Sequence, residues 1–101
     1  MTSFNTVDEK MRAFGFSEGA AASIDLPTAE VRTRVPEWRI GYVLGRGFSE
    51  ATREGAIGEF AGTAGRLGAQ YGIALDELQD ALSFGADQRE VVRRAYVPDK
   101  L

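Results

Sequence analysis

This chain predicts an all-α fold, a compact bundle of five or six short helices, and three observations carry that prediction. Apolar residues recur at helical spacing along most of the 101 residues, with strict alternation confined to one short stretch. Glycine and proline fall between these runs, and serine, threonine or aspartate stands where the next run would open. A hydrophobic fraction of 44%, with 10% aromatic, suits one modest core and argues against wholesale disorder.

The elements follow in order. Thr6-Val7-Asp8-Glu9 reads as a capping box that opens a first helix on Val7, Met11 and Phe14, with Gly15 as its stop. Ser17 is placed to cap a second short helix, 20–24, ending before Leu26-Pro27. Thr28 is placed to cap a third, 29–35, although Val31, Thr33 and Val35 also alternate with Glu30, Arg32 and Arg34 as an extended segment would. Pro36 fits the first turn of a helix 37–44, whose density of Trp38, Ile40, Tyr42, Val43 and Leu44 makes it central. Gly45-Arg46-Gly47 reads as a hinge, and Ser49 as the cap of the longest helix, 50–71. After a turn at Gly72, a helix 75–84 stops at Gly85. Asp87-Gln88-Arg89-Glu90 is a second candidate capping box, for a last helix reaching Tyr96 and ended by Pro98. The tetrapeptide GFSE occurs at 15–18 and 47–50, each time as an apparent glycine stop followed by a serine cap. A single domain over 1–101 is expected, with N-terminal short helices in 1–35, a helical core in 36–97 and a frayed tail in 98–101.

Composition removes several function classes. The chain has no cysteine and no histidine, which excludes disulfides and thiolate sites and removes the commonest general base and transition-metal ligand. Its carboxylates show no calcium-loop spacing. Ser17 and Ser49 have no lysine placed to activate them. No enzyme, metal or cofactor is expected. The N-terminus lacks a basic start followed by an apolar run, and no stretch approaches a membrane span, so the expected location is the cytoplasm with no membrane contact.

The formal charge of −3 hides a banded pattern. Residues 1–31 carry five acids against two bases. Residues 32–53 then carry Arg32, Arg34, Arg39, Arg46 and Arg53 against Glu37 and Glu50. Residues 54–90 carry seven acids against two bases, and the tail is weakly basic. Such an arginine band could dock an acidic protein or a phosphate backbone. Solvated faces are the plainer account.

Within the expected helix 50–71, Gly55, Gly58, Gly62, Gly65 and Gly68 fall beside an apolar face of Ile57, Phe60, Ala61, Ala64, Leu67 and Tyr71. Each interior glycine costs a helix about 1 kcal/mol against alanine, so a close neighbour is expected along this flank. That neighbour is another helix of the same chain, a second copy in a homo-oligomer, or a partner. The membrane-dimer reading of Gly58 and Gly62 fails because Glu59 and Arg66 interrupt the apolar run.

From Ala64 to Leu82 the sequence is AGRLGAQYGIALDELQDAL. Leu67 is an apolar anchor, Gly68 the small residue at a helix crossing, and Gly72 a turn residue between Tyr71 and Ile73. Leu78, Ala81 and Leu82 would anchor a second helix inward. These 19 residues resemble a bacterial helix-turn-helix of the type LAxxYGIxxxxLxxxL. The resemblance implies DNA contact through the outward positions of the second helix, here Ala74, Leu75, Asp76, Glu77, Gln79 and Asp80. Three carboxylates without one cation would repel a phosphate backbone. The expectation is therefore a small regulatory or adaptor protein, antitoxin-like, anti-activator or phage-type inhibitor, that binds a protein partner through Leu75, Asp76, Glu77, Gln79 and Asp80. The alternative is a DNA-binding regulator using the arginine band, with Arg89, Arg93 and Arg94.

Overall fold

Helical structure runs straight through most of the glycines that look like stops. The computed structural model describes residues 7–22, 24–54 and 58–97, and all of its regular structure is helical. The elements are α1 (Val7–Ala21), α2 (Thr28–Arg32), α3 (Pro36–Glu54), α4 (Gly58–Gln70), α5 (Leu75–Leu82) and α6 (Ala86–Ala95). A radius of gyration of 12.9 Å is what about 100 residues folded around one core should have.

The α1–α3 pair explains why glycine does not stop either helix. A Cβ built on Gly15 would overlap the Trp38 carbonyl oxygen and crowd the Tyr42 nitrogen, and one on Gly19 would overlap the Tyr42 carbonyl and crowd Arg46 nitrogen. In return, a Cβ on Gly41 would overlap the Arg12 carbonyl, and one on Gly45 that of Phe16. Rising numbers on one helix meet rising numbers on the other, so the two run parallel. Each presents Gly-x-x-x-Gly, and their backbones touch directly along that seam. The close approach offsets the propensity cost of four helical glycines.

Helix α4 returns antiparallel along α3. The Phe60 ring lies against Gly47 at one end, and Tyr71 meets Tyr42 at the other with ring centroids 5.9 Å apart. Of the expected apolar face of α4, Ala61, Ala64, Leu67 and Tyr71 are fully buried. They join Val31, Trp38, Ile40, Tyr42, Val43, Ile73, Leu78 and Val92 in one core. Gly72 ends α4 with φ +77°; its N–H donates to Ala69 O, and Ile73 N–H donates to Gly68 O. This pair of bonds is the Schellman arrangement, in which a left-handed residue lets the chain turn sharply. Helix α5 then sits with Leu78 over Gly68, and α6 lays Val92 and Ala95 against Gly65.

Several local expectations are corrected. Gly15 is not a stop and Ser17 does not cap a helix 20–24, because α1 continues to Ala21. Gly45-Arg46-Gly47 is not a hinge: it lies inside α3, which absorbs both the expected helix 37–44 and residues 50–54. Ser49 therefore caps nothing, and its hydroxyl donates to Ala22 O instead. The short helix near 28–35 is α2, yet its N-cap is Pro27, and the Thr28 hydroxyl accepts from Gln70 Nε2. Helix α5 ends at Leu82 on a left-handed Ser83, φ 55°, while Gly85 is the extended N-cap of α6. The capping box expected at Asp87 does not form, since the N-cap is Gly85 and Asp87 lies inside the first turn of α6, while the Glu90 carboxylate pairs with Arg93 and Arg94. The capping box at Thr6 and the tail 98–101 lie outside the described residues.

Candidate protein-docking surface

The arginine band forms internal ties across the fold. Arg46 is 2% exposed, so it is not a surface contact. Its Nε donates to Asp25 at 2.9 Å, its Nη2 to Glu50 at 2.7 Å and its Nη1 to Ala22 O at 3.0 Å. Burial opposes its charge, but the two carboxylates outweigh burial and raise its pKa. The Arg46 hydrogen bond, with Arg53 behind it, holds the Glu50 carboxyl below the usual range. The same loop is gripped from the core: the Leu26 N–H donates to Tyr42 Oη, and Tyr71 Oη donates to Leu26 O. Burial pushes the Tyr71 phenol well above its ordinary pKa, so it stays a donor.

The remaining arginines of the band also serve the fold. Arg32 donates twice to Gln70 O, and Arg39 donates to Tyr71 O and Arg34 O. Both therefore satisfy carbonyls at the C-terminal end of α4, where a cation also suits the helix dipole. The Arg34 guanidinium lies 4.4 Å from the centroid of Trp38, and Arg53 pairs with Glu50. Trp38 itself is 5% exposed and stacked on Tyr42, so it is a core residue.

The five residues expected on α5 divide. Asp76, Glu77 and Asp80 are exposed, while Leu75 is half-buried against the core. Gln79 turns inward, where its Nε2 donates to Arg89 O and its Oε1 is buried without a partner among the described residues. The period of the helix accounts for this, because Gln79 follows Leu75 by four residues and shares its half-buried side. The carboxylates of Glu77 and Asp80 make no ion pair among the described residues.

Beside α5 lies a feature that reading α5 alone missed. Glu77, Asp80 and Ala81 line a hollow of about 260 Å³ with Ile40, Arg12 and Glu37. Arg12 and Glu37 also line a larger groove of about 580 Å³ with Asp8, Glu9, Ala13, Phe16, Ser17 and Leu44. The two hollows meet at the Arg12–Glu37 ion pair, 2.6 Å long. Five carboxylates thus border two adjoining hollows, and among the described residues that line them Arg12 is the only cation. Its floor is apolar at the Phe16–Leu44 end. Phe48, 48% exposed, extends that end with its ring 5.9 Å from Phe16. The signal in the sequence was the acidic band 1–31, whose partner is α5 some 70 positions away.

The expected glycine flank is only partly a packing surface. Gly65 and Gly68 touch α6 and α5, but nothing lies within 4 Å of a Cβ built on Gly62. The contacts of Gly55 and Gly58 lie outside what is described. Compared with protein-family models, curated proteins and solved structures, the chain matches none. The class defined by the fold is therefore stated by its architecture: an all-α bundle with a parallel, glycine-lined helix pair at its base. No helix among the described residues is long and apolar enough to cross a membrane.

Proposed function

We propose that this protein is a small non-enzymatic regulator or adaptor that acts by binding another protein through its acidic surface, centred on Asp76, Glu77 and Asp80 of α5. One contrast carries the reading. Arg32, Arg39, Arg46 and Arg53 donate to groups of their own fold, whereas the Glu77 and Asp80 carboxylates are exposed and without an ion pair among the described residues. Exposed charge with no internal use is available to a partner, and it steers an oppositely charged one. The helix-turn-helix likeness of 64–82 then concerns shape alone. The DNA-binding alternative loses support at Arg32, Arg39 and Arg46, whose donors are taken by the end of α4 and by Asp25, Ala22 O and Glu50.

Photo-crosslinking residues placed singly at 77, 80 and 34 in the full chain test this reading in cells. Crosslinks to polypeptide at 77 and 80, weakened by salt, are expected. Crosslinks confined to position 34, or reaching nucleic acid, would overturn it.

A further inference from the structure

We infer that the depression between α1, α3 and α5 receives a basic amphipathic helix of another protein, with its apolar residues on Phe16, Leu44 and Phe48 and its lysines or arginines against the acids at the other end. This rests on the acidic surface being a docking site and adds the chemistry and layout of what docks there.

The surface has two ends. Asp8, Glu37, Glu77 and Asp80 gather where α1 and α3 begin, and Phe16, Leu44 and Phe48 lie further along both helices. Asp8 and Phe16 are eight residues apart on one helix, which spans about 12 Å at 1.5 Å per residue. A partner must therefore offer apolar and cationic groups separated by about two helical turns, which one face of a helix does at i and i+7 or i+8. Two parallel helices also leave between them a furrow of the shape that a third helix fills.

Charge selects among occupants. Nucleic acid and an anionic lipid surface would both be repelled by this rim. A two-fold pairing of this chain through the same face would set the acidic end of one copy against the apolar end of the other, which leaves the acids without cations. A cationic segment of a different protein is the occupant whose charge complements the rim. Arg12 does not spoil the match, since Glu37 already holds it.

The test is selection of a displayed library of randomised helical peptides against the intact chain. Enriched peptides should place an apolar cluster about two turns from lysine or arginine. They should bind Phe16→Asp and the double variant Glu77→Lys with Asp80→Lys each at least about tenfold more weakly than the wild type. Trp38, buried in the core, reports by its emission that each variant is folded. Should Phe16→Asp unfold, Phe48→Asp takes its place. Peptides weakened by the charge reversal but not by Phe16→Asp or Phe48→Asp would overturn the groove and leave the acidic docking surface standing. Peptides that are not basic, or that bind all variants equally, would overturn both. Self-association in light scattering that disappears in Phe16→Asp would assign the groove to a second copy and overturn the proposal.

Discussion

The α1–α3 pair and the α4–α5 pair are both helix contacts built on glycine, and they use it differently. In α1–α3, glycines on both helices bring backbone against backbone, and the neighbouring atoms are carbonyl oxygens and amide nitrogens that cannot move aside. In α4–α5, one glycine faces the Leu78 side chain, which has rotamers to spare. The first contact fixes a platform of two helices in direct backbone contact. The second seats a short helix through Leu78 and leaves Asp76, Glu77 and Asp80 exposed on its outer face. Under the proposed function, the α1–α3 scaffold and the docking surface lie side by side.

The largest break in this comparison comes from the seam. Gly41→Ala should cost about 3 kcal/mol or more, since added volume meets main chain on a packed helix, and urea unfolding reads it directly. The clasp beside the seam comes next. Arg46→Met removes the cation shared by Asp25 and Glu50, each about a quarter exposed, along with the donor to Ala22 O. A loss of about 2 kcal/mol is expected, at the low side of broken buried pairs, because Arg66 and Arg53 still serve the two acids. Retention of full stability in Arg46→Met would show that the bonds of Tyr42, Tyr71, Ser49 and Arg66 suffice to hold Ala22, Asp25 and Leu26.

Acid should loosen the same clasp. The folded-state pKa of Glu50 is lowered from 4.5 by Arg46, so its contribution is complete above about pH 4.5 and is lost as pH falls through the lowered value. Stability measured against pH should therefore fall less steeply on the acid side in Glu50→Gln than in the wild type. A smaller effect is expected where α4 faces α5. Gly68→Ala should cost about 1 kcal/mol as Leu78 shifts, with helix propensity returning part of it.

The fold class, the core face of α4 and the turn at Gly72 were legible because periodicity and a left-handed glycine are local signals. The parallel seam was not. Gly15 and Gly45 look like helix ends from the sequence alone, and only the facing backbone of a distant helix makes them interior. The same reasoning explains the arginines. A band of like charge reads as surface until its acceptors are known, and Asp25, Gln70 O and Tyr71 O come from other segments. The proposed acidic surface was half legible: the carboxylates of α5 stand together in the sequence, while Asp8 and Glu37 join them only through the packing of α1 on α3.

One pair of substitutions tests most directly whether helical glycine here means backbone contact. Gly41→Ala and Gly62→Ala make the same chemical change in two helices, and their urea midpoints can be compared in one experiment. Gly41 faces the Arg12 carbonyl and Gly62 faces nothing within 4 Å. Gly41→Ala should lower the midpoint sharply, and Gly62→Ala should raise it by up to about 1 kcal/mol of stability. Equal shifts of the same sign would contradict the parallel, backbone-to-backbone seam on which the platform and its groove depend.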